Sequence, residues 1–141
     1  MRHTAKIEPA NNDELTLARA GYMTPEEVRR ITIEDALVDT GATRLGLPPS
    51  LIEQLGLTPF RSEQVRTVNG ITELWIYSPV QFTILEREGI TTVLGVPEGT
   101  PVLIGHILLE DLDLCLDMKK GLIYNPAHDG EWMTELYHSE I

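Results

Sequence analysis

The chain has 141 residues, of which 42% are hydrophobic and 23% charged, and these values fit one globular domain with a sizeable core. Twenty-two acidic against eleven basic residues give a formal net charge of -11, which argues against nucleic acid and anionic membrane surfaces as partners. One cysteine excludes an internal disulfide, and no segment has the roughly 20 apolar residues of a membrane-spanning helix. These features predict a cytoplasmic protein.

The N-terminal part of the chain predicts little regular structure before the second strand. Residues 1–13 are polar and turn-prone and are predicted as a flexible arm. Residues 15–18 predict a first short strand, and residues 24–27 (Thr-Pro-Glu-Glu) predict a turn or a single helical turn. Residues 28–38 predict a second, bent strand that enters the core.

An aspartate stands at the end of this second strand, in the sequence Ala36-Leu37-Val38-Asp39-Thr40-Gly41-Ala42-Thr43. The apolar run before Asp39 is typical of a half-buried strand, and Gly41 permits a sharp turn, so the strand would deliver Asp39 to a surface loop. The alternative is that Asp39 and Thr40 only cap a turn or a helix. The tripeptide leaves both interpretations open, because chance produces it in roughly a few per cent of chains this long.

The middle of the chain predicts a short helix and a long hairpin. Residues 44–47 predict a strand, and residues 48–56 predict a helix with proline at its start and glycine after its end. Asn69-Gly70 lies between two strand-like runs, residues 64–68 and 71–77. This is the strongest short-range signal for a β-hairpin, and it places Asn69-Gly70 at the tip.

The rest of the chain predicts mainly strands. Five further strand-like runs are residues 80–85, 90–96, 102–105, 112–118 and 122–124. A polar turn at residues 86–89 joins the first two, and residues 106–111 predict a short helix. Residues 127–141 are a tail predicted to dock as a short helix. Cys115 is interpreted as a small buried hydrophobe rather than a nucleophile.

Several kinds of site have no support in the sequence. It has no phosphate-binding glycine loop, and its serines lack the Gly-x-Ser-x-Gly context of a nucleophile. No two of the four histidines are four residues apart, and the chain has one cysteine, so a zinc site is not expected. The sequence therefore predicts no cofactor and no metal, and leaves Asp39 as the candidate for chemistry.

These motifs resemble the retroviral-like (retropepsin-type) aspartic peptidases. In that family an apolar strand delivers Asp-Thr-Gly-Ala, and a second apolar pair with glycine follows, here Leu103-Ile104-Gly105. The hairpin between the two elements and the helix after the glycine stand in the family's order. The likeness covers residues 14–126, predicted as one protease domain. It implies an all-β fold with one or two short helices, a closed or partly open β-barrel that forms one lobe per chain.

The resemblance implies an aspartic endopeptidase with Asp39, Thr40 and Gly41 in the catalytic motif. Peptide hydrolysis needs one carboxyl group to take a proton from water and another to give one to the carbonyl oxygen, and two close carboxyl groups share one proton. One Asp-Thr-Gly per chain therefore implies a homodimer that brings two Asp39 side chains together. Thr40 would hydrogen-bond across this interface, and Gly41 would permit the turn.

The implied substrate is an extended polypeptide that binds like a strand beneath the hairpin. The residues implied to contact it are Ala42, Thr43, Val68, Asn69, Gly70, Ile71 and Ile104. Retroviral members carry an acidic residue at the position of Thr43 and an arginine at that of His106, so the ion pair that braces their dimer cannot form here. The alternative function is a non-catalytic peptide- or protein-binding module with the same fold.

Overall fold

The computed structural model describes residues 2–39, 42–68, 70–112, 114–117, 122–124, 134–135 and 137–139. The strands in these ranges are β1 (Arg2–Asn11), β2 (Ile33–Asp39), β3 (Leu45–Leu47), β4 (Pro59–Thr67), β5 (Gly70–Ile84), β6 (Arg87–Gly95), β7 (Leu103–Gly105), β8 (Cys115–Asp117), β9 (Leu122–Tyr124), β10 (Thr134–Glu135) and β11 (Tyr137–Ser139). The helices are α1 (Asn12–Arg19), α2 (Pro49–Leu55) and α3 (His106–Asp111), with a 3₁₀ turn at Pro25–Glu27. The predicted all-β class is confirmed.

The larger sheet has the strand order β11-β1-β2-β7-β3-β6-β5-β4, and an additional pairing of β1 with β5 closes part of it into a ring. The two halves of β1 make this closure, because residues 4–7 pair with β2 and residues 8–11 pair with β5. Side chains from the ring strands and from α2 and α3 fill the core. Its largest fully buried members include Phe82, Ile7, Leu45, Leu47, Leu55, Ile76, Ile84, Ile104 and Leu109. A smaller sheet has the order β10-β9-β8.

The structure differs from the flexible arm predicted for residues 1–13, because β1 is an integral strand of the sheet. Ala5 and Ile7 are buried, at 3% and 0% exposure, while Lys6 and Glu8 between and beside them are exposed. This alternation is the period of a strand with one buried face. The interleaved polar residues made the segment look polar throughout.

The strand predicted at residues 15–18 is instead the middle of α1. The Asn11 side chain caps this helix by accepting a hydrogen bond from the Glu14 N–H at 3.0 Å. Acidic residues in the first turn, Asp13 and Glu14, favour the positive end of the helix dipole. The cap and these charges outweigh the strand preference of the apolar and β-branched residues that follow.

Asn11 also joins α1 to the end of α2, which predicts a sizeable cost for its removal. The side chain is buried at 4% exposure, and its Nδ2 donates to the Leu55 carbonyl at 2.8 Å. Asn11→Ala is expected to lower the free energy of unfolding by about 2 kcal/mol, because it removes the cap and leaves a buried carbonyl unpaired. Urea denaturation measures this loss. The exposed first-turn variant Asp13→Ala is the control, and equal losses in both variants would contradict the argument.

Glu14 holds the connection between α1 and β2 and makes the stability depend on pH. Its carboxylate accepts hydrogen bonds from the Arg29 Nη2 at 2.6 Å and from the Arg29 backbone N–H at 2.9 Å. The guanidinium hydrogen bond is the main reason that the pKa of Glu14 lies below its ordinary value of 4.5.

A carboxyl group with a lowered folded-state pKa stabilises the fold above its unfolded pKa, and this contribution disappears as the pH falls through the folded value. Glu14→Gln is therefore expected to lower the free energy of unfolding by about 1 kcal/mol at neutral pH. The difference from the wild type should shrink as the pH falls below 4.5, the ordinary value for this group. Denaturation curves across this range measure it, and a difference that stays constant would contradict the role of the charge.

The strand predicted at residues 44–47 and the helices predicted at residues 48–56 and 106–111 are confirmed as β3, α2 and α3. The second strand starts later than predicted, at Ile33, because the residues before it make only an isolated bridge, between Ala10 and Arg30.

The turn between β5 and β6 lies earlier than the predicted residues 86–89. Ile84 pairs with Arg87, so Leu85 and Glu86 form the turn, with φ values of 52° and 63°. Both residues adopt the left-handed conformation that a tight two-residue hairpin turn requires, although neither is glycine. The turn was predicted from the polar residues 86–89, but Arg87, Glu88 and Gly89 lie within β6, with Gly89 against Phe82.

The tail was predicted as a helix, whereas its described residues 134–135 and 137–139 form strands. β11 pairs antiparallel with β1, with Arg2 opposite Ser139. The edge of β1 offers unpaired backbone groups, and threonine and tyrosine suit a strand, which accounts for the difference. The predicted turn at residues 119–121 lies outside the described residues. No helix in the described part of the chain has the length and apolar character needed to cross a membrane.

Candidate active site

Asp39 is the last residue of β2 and emerges half-buried from a strand whose neighbouring residues lie in the core. Ala36 is fully buried and Val38 is 8% exposed. β2 pairs in parallel with β7, with Val38 opposite Ile104 and Asp39 opposite Gly105. The two apolar runs that the sequence singled out therefore lie side by side, and Gly105 is the direct neighbour of the candidate catalytic residue.

β7 lies between β2 and β3, so the chain after Asp39 must pass over the end of β7 to reach β3. The Ala42 N–H donates to the Asp39 carbonyl at 3.1 Å and begins this passage. A Cβ atom on Gly105 would lie 2.4 Å from the Ala42 carbonyl oxygen, so only glycine fits beneath the loop. The predicted catalytic-motif residues Thr40 and Gly41 lie outside the described residues.

A groove of about 540 Å³ opens beside Asp39, between this loop and the hairpin. Its lining is largely apolar, with a few charged groups at one side, as ligand-binding clefts usually are. The lining residues are Asp39, Ala42, Thr43, Arg44, Gly46, Glu63, Gln64, Val65, Arg66, Leu74, Leu94, Val96, Pro97, Thr100 and Leu103.

The hairpin predicted around Asn69-Gly70 is confirmed as β4 and β5. Its pairing runs to Thr67 opposite Gly70. Gly70 has a φ of 108°, a conformation that side chains disfavour, which explains glycine at the point where the chain turns back. Asn69 itself lies outside the described residues.

The residues predicted to contact a substrate fall into three groups. Ala42 and Thr43 line the groove together with Asp39. Val68 and Ile71 lie at the hairpin tip, with exposures of 102% and 65%, and neither they nor Gly70 line the groove. Ile104 is fully buried, and the residue before it in β7, Leu103, lines the groove instead.

The charged side of the groove was not predicted from the sequence. The Arg44 Nη1 lies 3.2 Å from the Glu63 Oε1, and the Arg44 Nε donates to the Thr92 hydroxyl at 3.2 Å. These residues lie far apart in the sequence, with Arg44 directly before β3, Glu63 on β4 and Thr92 on β6, so no local motif connects them. From the sequence, only Arg44 could have been suspected of lying near the site, because it follows closely after the Asp-Thr-Gly motif.

Another part of the lining is a loop after β6, which a contact with α2 holds in place. Glu98 in this loop accepts hydrogen bonds from the Ser50 N–H and hydroxyl, both at 3.1 Å, at the start of α2. The contact satisfies an N-terminal helix N–H that no side chain within α2 caps. The helix predicted at residues 48–56 therefore supports the groove wall formed by Val96, Pro97 and Thr100.

His106 is the first residue of α3, directly after Gly105. Its Nε2 lies 3.6 Å from the Glu110 Oε1, one helical turn away. Within the described ranges, no three side chains of histidine, cysteine, aspartate or glutamate come close enough together to hold a metal ion.

Comparison with known proteins places this geometry in a family. Residues 27–111, more than half of the chain, match the model of the family described as "gag-polyprotein putative aspartyl protease". The matched segment contains both apolar strands, the hairpin and α3, and it lies within the predicted domain of residues 14–126. The search of curated proteins found no match. The family match and the all-β structure agree, and the chain belongs to the retroviral-type aspartyl protease family.

Proposed function

We propose that this chain is an aspartic endopeptidase that hydrolyses extended polypeptides as a homodimer. The observation that carries the proposal is the position of Asp39, at the end of β2 in a groove of about 540 Å³ beneath the hairpin. The apolar part of the lining suits the side chains of a polypeptide. The family match supports a protease at this site.

The proposed chemistry needs a second carboxyl group, which a second chain would supply. In a two-fold symmetric dimer the two Asp39 side chains would meet and share one proton. The ionised Asp39 would take a proton from water as the water oxygen attacks the peptide carbonyl carbon. The protonated Asp39 would donate to the carbonyl oxygen and become ionised. As the tetrahedral intermediate collapses, the first Asp39 would pass its newly gained proton to the leaving nitrogen, and the second would take a proton back from a hydroxyl group as the carbonyl re-forms and the amine departs.

The remaining site residues receive supporting roles in this proposal. Thr40 would hydrogen-bond across the dimer interface, and Gly41 would permit the turn after Asp39. The hairpin tip, residues 68–71, would close over a substrate bound between the two chains, with Ala42 and Thr43 along its path. A strand-like substrate would use backbone hydrogen bonds for affinity and alternate side-chain pockets for selectivity.

Cleavage of an unstructured polypeptide at mildly acidic pH tests the proposal. The wild type is expected to cleave it with a rate per chain that falls on dilution, as dimers dissociate, and sedimentation at the same concentrations should show the dissociation. Asp39→Asn is the matched inactive control. Equal cleavage by this variant, or full activity in a monomeric sample, would contradict the proposal.

A binding module is the second candidate, because β4 is the last strand in the order of the larger sheet. Its outer edge presents backbone groups to which an extended segment of a partner could add as a further strand. Binding of a polypeptide without cleavage by the wild type, unchanged in Asp39→Asn, would favour this candidate over the peptidase.

A further inference from the structure

The hairpin extends beyond the sheet that supports its base. β5 pairs with β6 as far as Ile76 opposite Leu94, and the earlier residues of β5 pair only with β4. We call residues 62–67 of β4 and 70–75 of β5 the ribbon. A two-stranded ribbon is at best marginally stable alone, so its position over the groove must depend on contacts outside its own pairing.

An ion pair supplies such a contact between the ribbon and the segment that leads from Asp39 into β3. Glu63 lies in the ribbon, opposite Leu74, and Arg44 lies directly before β3, after the loop that follows Asp39. The two side chains are 33% and 25% exposed, so both are largely shielded from water. Thr92 on β6 accepts from the Arg44 Nε and fixes the guanidinium from its other side.

We propose that Arg44 and Glu63 are positioning residues that hold the ribbon over the groove beside Asp39. Their ion pair is a direct side-chain link from the ribbon to the segment that leads out of the catalytic loop. Without it, the ribbon would swing more freely on its base, and the groove would be open for a larger part of the time. A substrate would then have to close the ribbon at the expense of its own binding energy.

Arg61 provides a matched control for the loss of a positive charge. Its Nη1 lies 3.5 Å from the Glu63 Oε2, but Arg61 belongs to the same strand as Glu63 and is mostly exposed. Arg61→Gln therefore removes a guanidinium from Glu63 without removing a link between the ribbon and the rest of the chain. Arg44→Gln removes that link.

Amide hydrogen exchange measures the position of the ribbon without requiring any activity. Arg44→Gln and Glu63→Gln are each expected to speed exchange in residues 62–67 and 70–75 by about three- to ten-fold, as the loss of a half-buried ion pair predicts. Arg61→Gln should change it by less than about two-fold, and β2 should be unaffected in all variants. High salt should also speed amide exchange in the ribbon of the wild type, and this measurement needs no substitution.

A charge exchange separates the ion pair from general damage. The double variant Arg44→Glu with Glu63→Arg should restore slow exchange in the ribbon, because Thr92 can donate to a carboxylate as it now accepts from a guanidinium. Unchanged exchange in the single variants, no effect of salt, or the same effect for Arg61→Gln would overturn the proposal. A variant that unfolds would leave the salt series to decide.

The consequence for catalysis is the one part that rests on the proposed function. Each single variant should raise KM for a peptide substrate by about three- to ten-fold with kcat within about two-fold, because binding rather than chemistry is weakened. If the wild type cleaves no peptide, the proposed function fails while the exchange experiment still tests the ion pair. If the wild type is active and KM does not change, the ribbon's closure does not limit binding, and the proposed role of Arg44 and Glu63 is wrong.

Discussion

Replacing part of the wild-type protein with Asp39→Asn chains, at constant total concentration, is expected to lower the cleavage rate. The fall should be steeper than the fraction of wild-type chains removed, which is what independently active chains would give. The variant alone should lose activity by roughly 10³-fold, because its amide cannot exchange a proton with water or substrate. If each site needs two Asp39 carboxyl groups, only wild-type homodimers are active. An equal mixture should then keep about a quarter of the activity, against about half for independent chains.

The measurement is an initial rate at mildly acidic pH after the chains have exchanged partners. Asparagine has nearly the shape of aspartate, so the variant should fold and dimerise normally, which thermal unfolding and sedimentation check. A linear fall of activity with the wild-type fraction would contradict a shared site. Full activity of the variant would remove Asp39 from the mechanism altogether.

The sequence was informative where a local pattern has one physical meaning. The apolar runs before Asp39 and Gly105 predicted two strands, and the structure places them side by side. Gly56 after an apolar helical run predicted the end of α2, and it has the left-handed φ of 66° that ends helices. Among the residues predicted for the site, Asp39, Ala42 and Thr43 line the groove.

Predictions were wrong where the outcome depends on a distant partner. β1 is a strand because it pairs with both β2 and β5, and neither contact is visible in its own polar-looking sequence. The tail residues 137–139 form a strand because they pair with β1. Local propensity is weak enough for such tertiary contacts to override it.

The pairing register of the hairpin was also not predicted from the sequence. Asn69-Gly70 predicted the hairpin, but Gly70 is paired with Thr67 rather than lying in the turn. The structure sets Ile71 opposite Arg66, two positions earlier than the Val68 partner that a turn at Asn69-Gly70 would give. The Arg44–Glu63 ion pair depends on this register and on the path of β3, so the sequence alone could not reveal it.

Gly105→Ala is expected to destabilise the fold and displace the loop that follows Asp39. The added Cβ would lie 2.4 Å from the oxygen and 2.7 Å from the carbon of the Ala42 carbonyl, both backbone atoms that cannot rotate away. The loop after Asp39 would have to rise from β7, or the parallel pairing of Asp39 with Gly105 would have to break. We expect the free energy of unfolding to fall by about 3 kcal/mol and the proposed cleavage activity to fall with the position of Asp39.

Gly46→Ala separates loop displacement from ordinary crowding. A Cβ at Gly46, on the neighbouring strand β3, would meet only side-chain atoms, Val96 Cγ1 at 3.2 Å and Leu103 Cβ at 3.3 Å. Because these contacts are longer than those at Gly105 and Val96 Cγ1 can turn away, this variant should lose about 1 kcal/mol or less. Chemical denaturation of both variants, with cleavage measured where they fold, makes the comparison. Equal losses would mean that the packing around Gly105 is no tighter than the packing around Gly46. Gly105 would then not be needed to hold the loop after Asp39 in place.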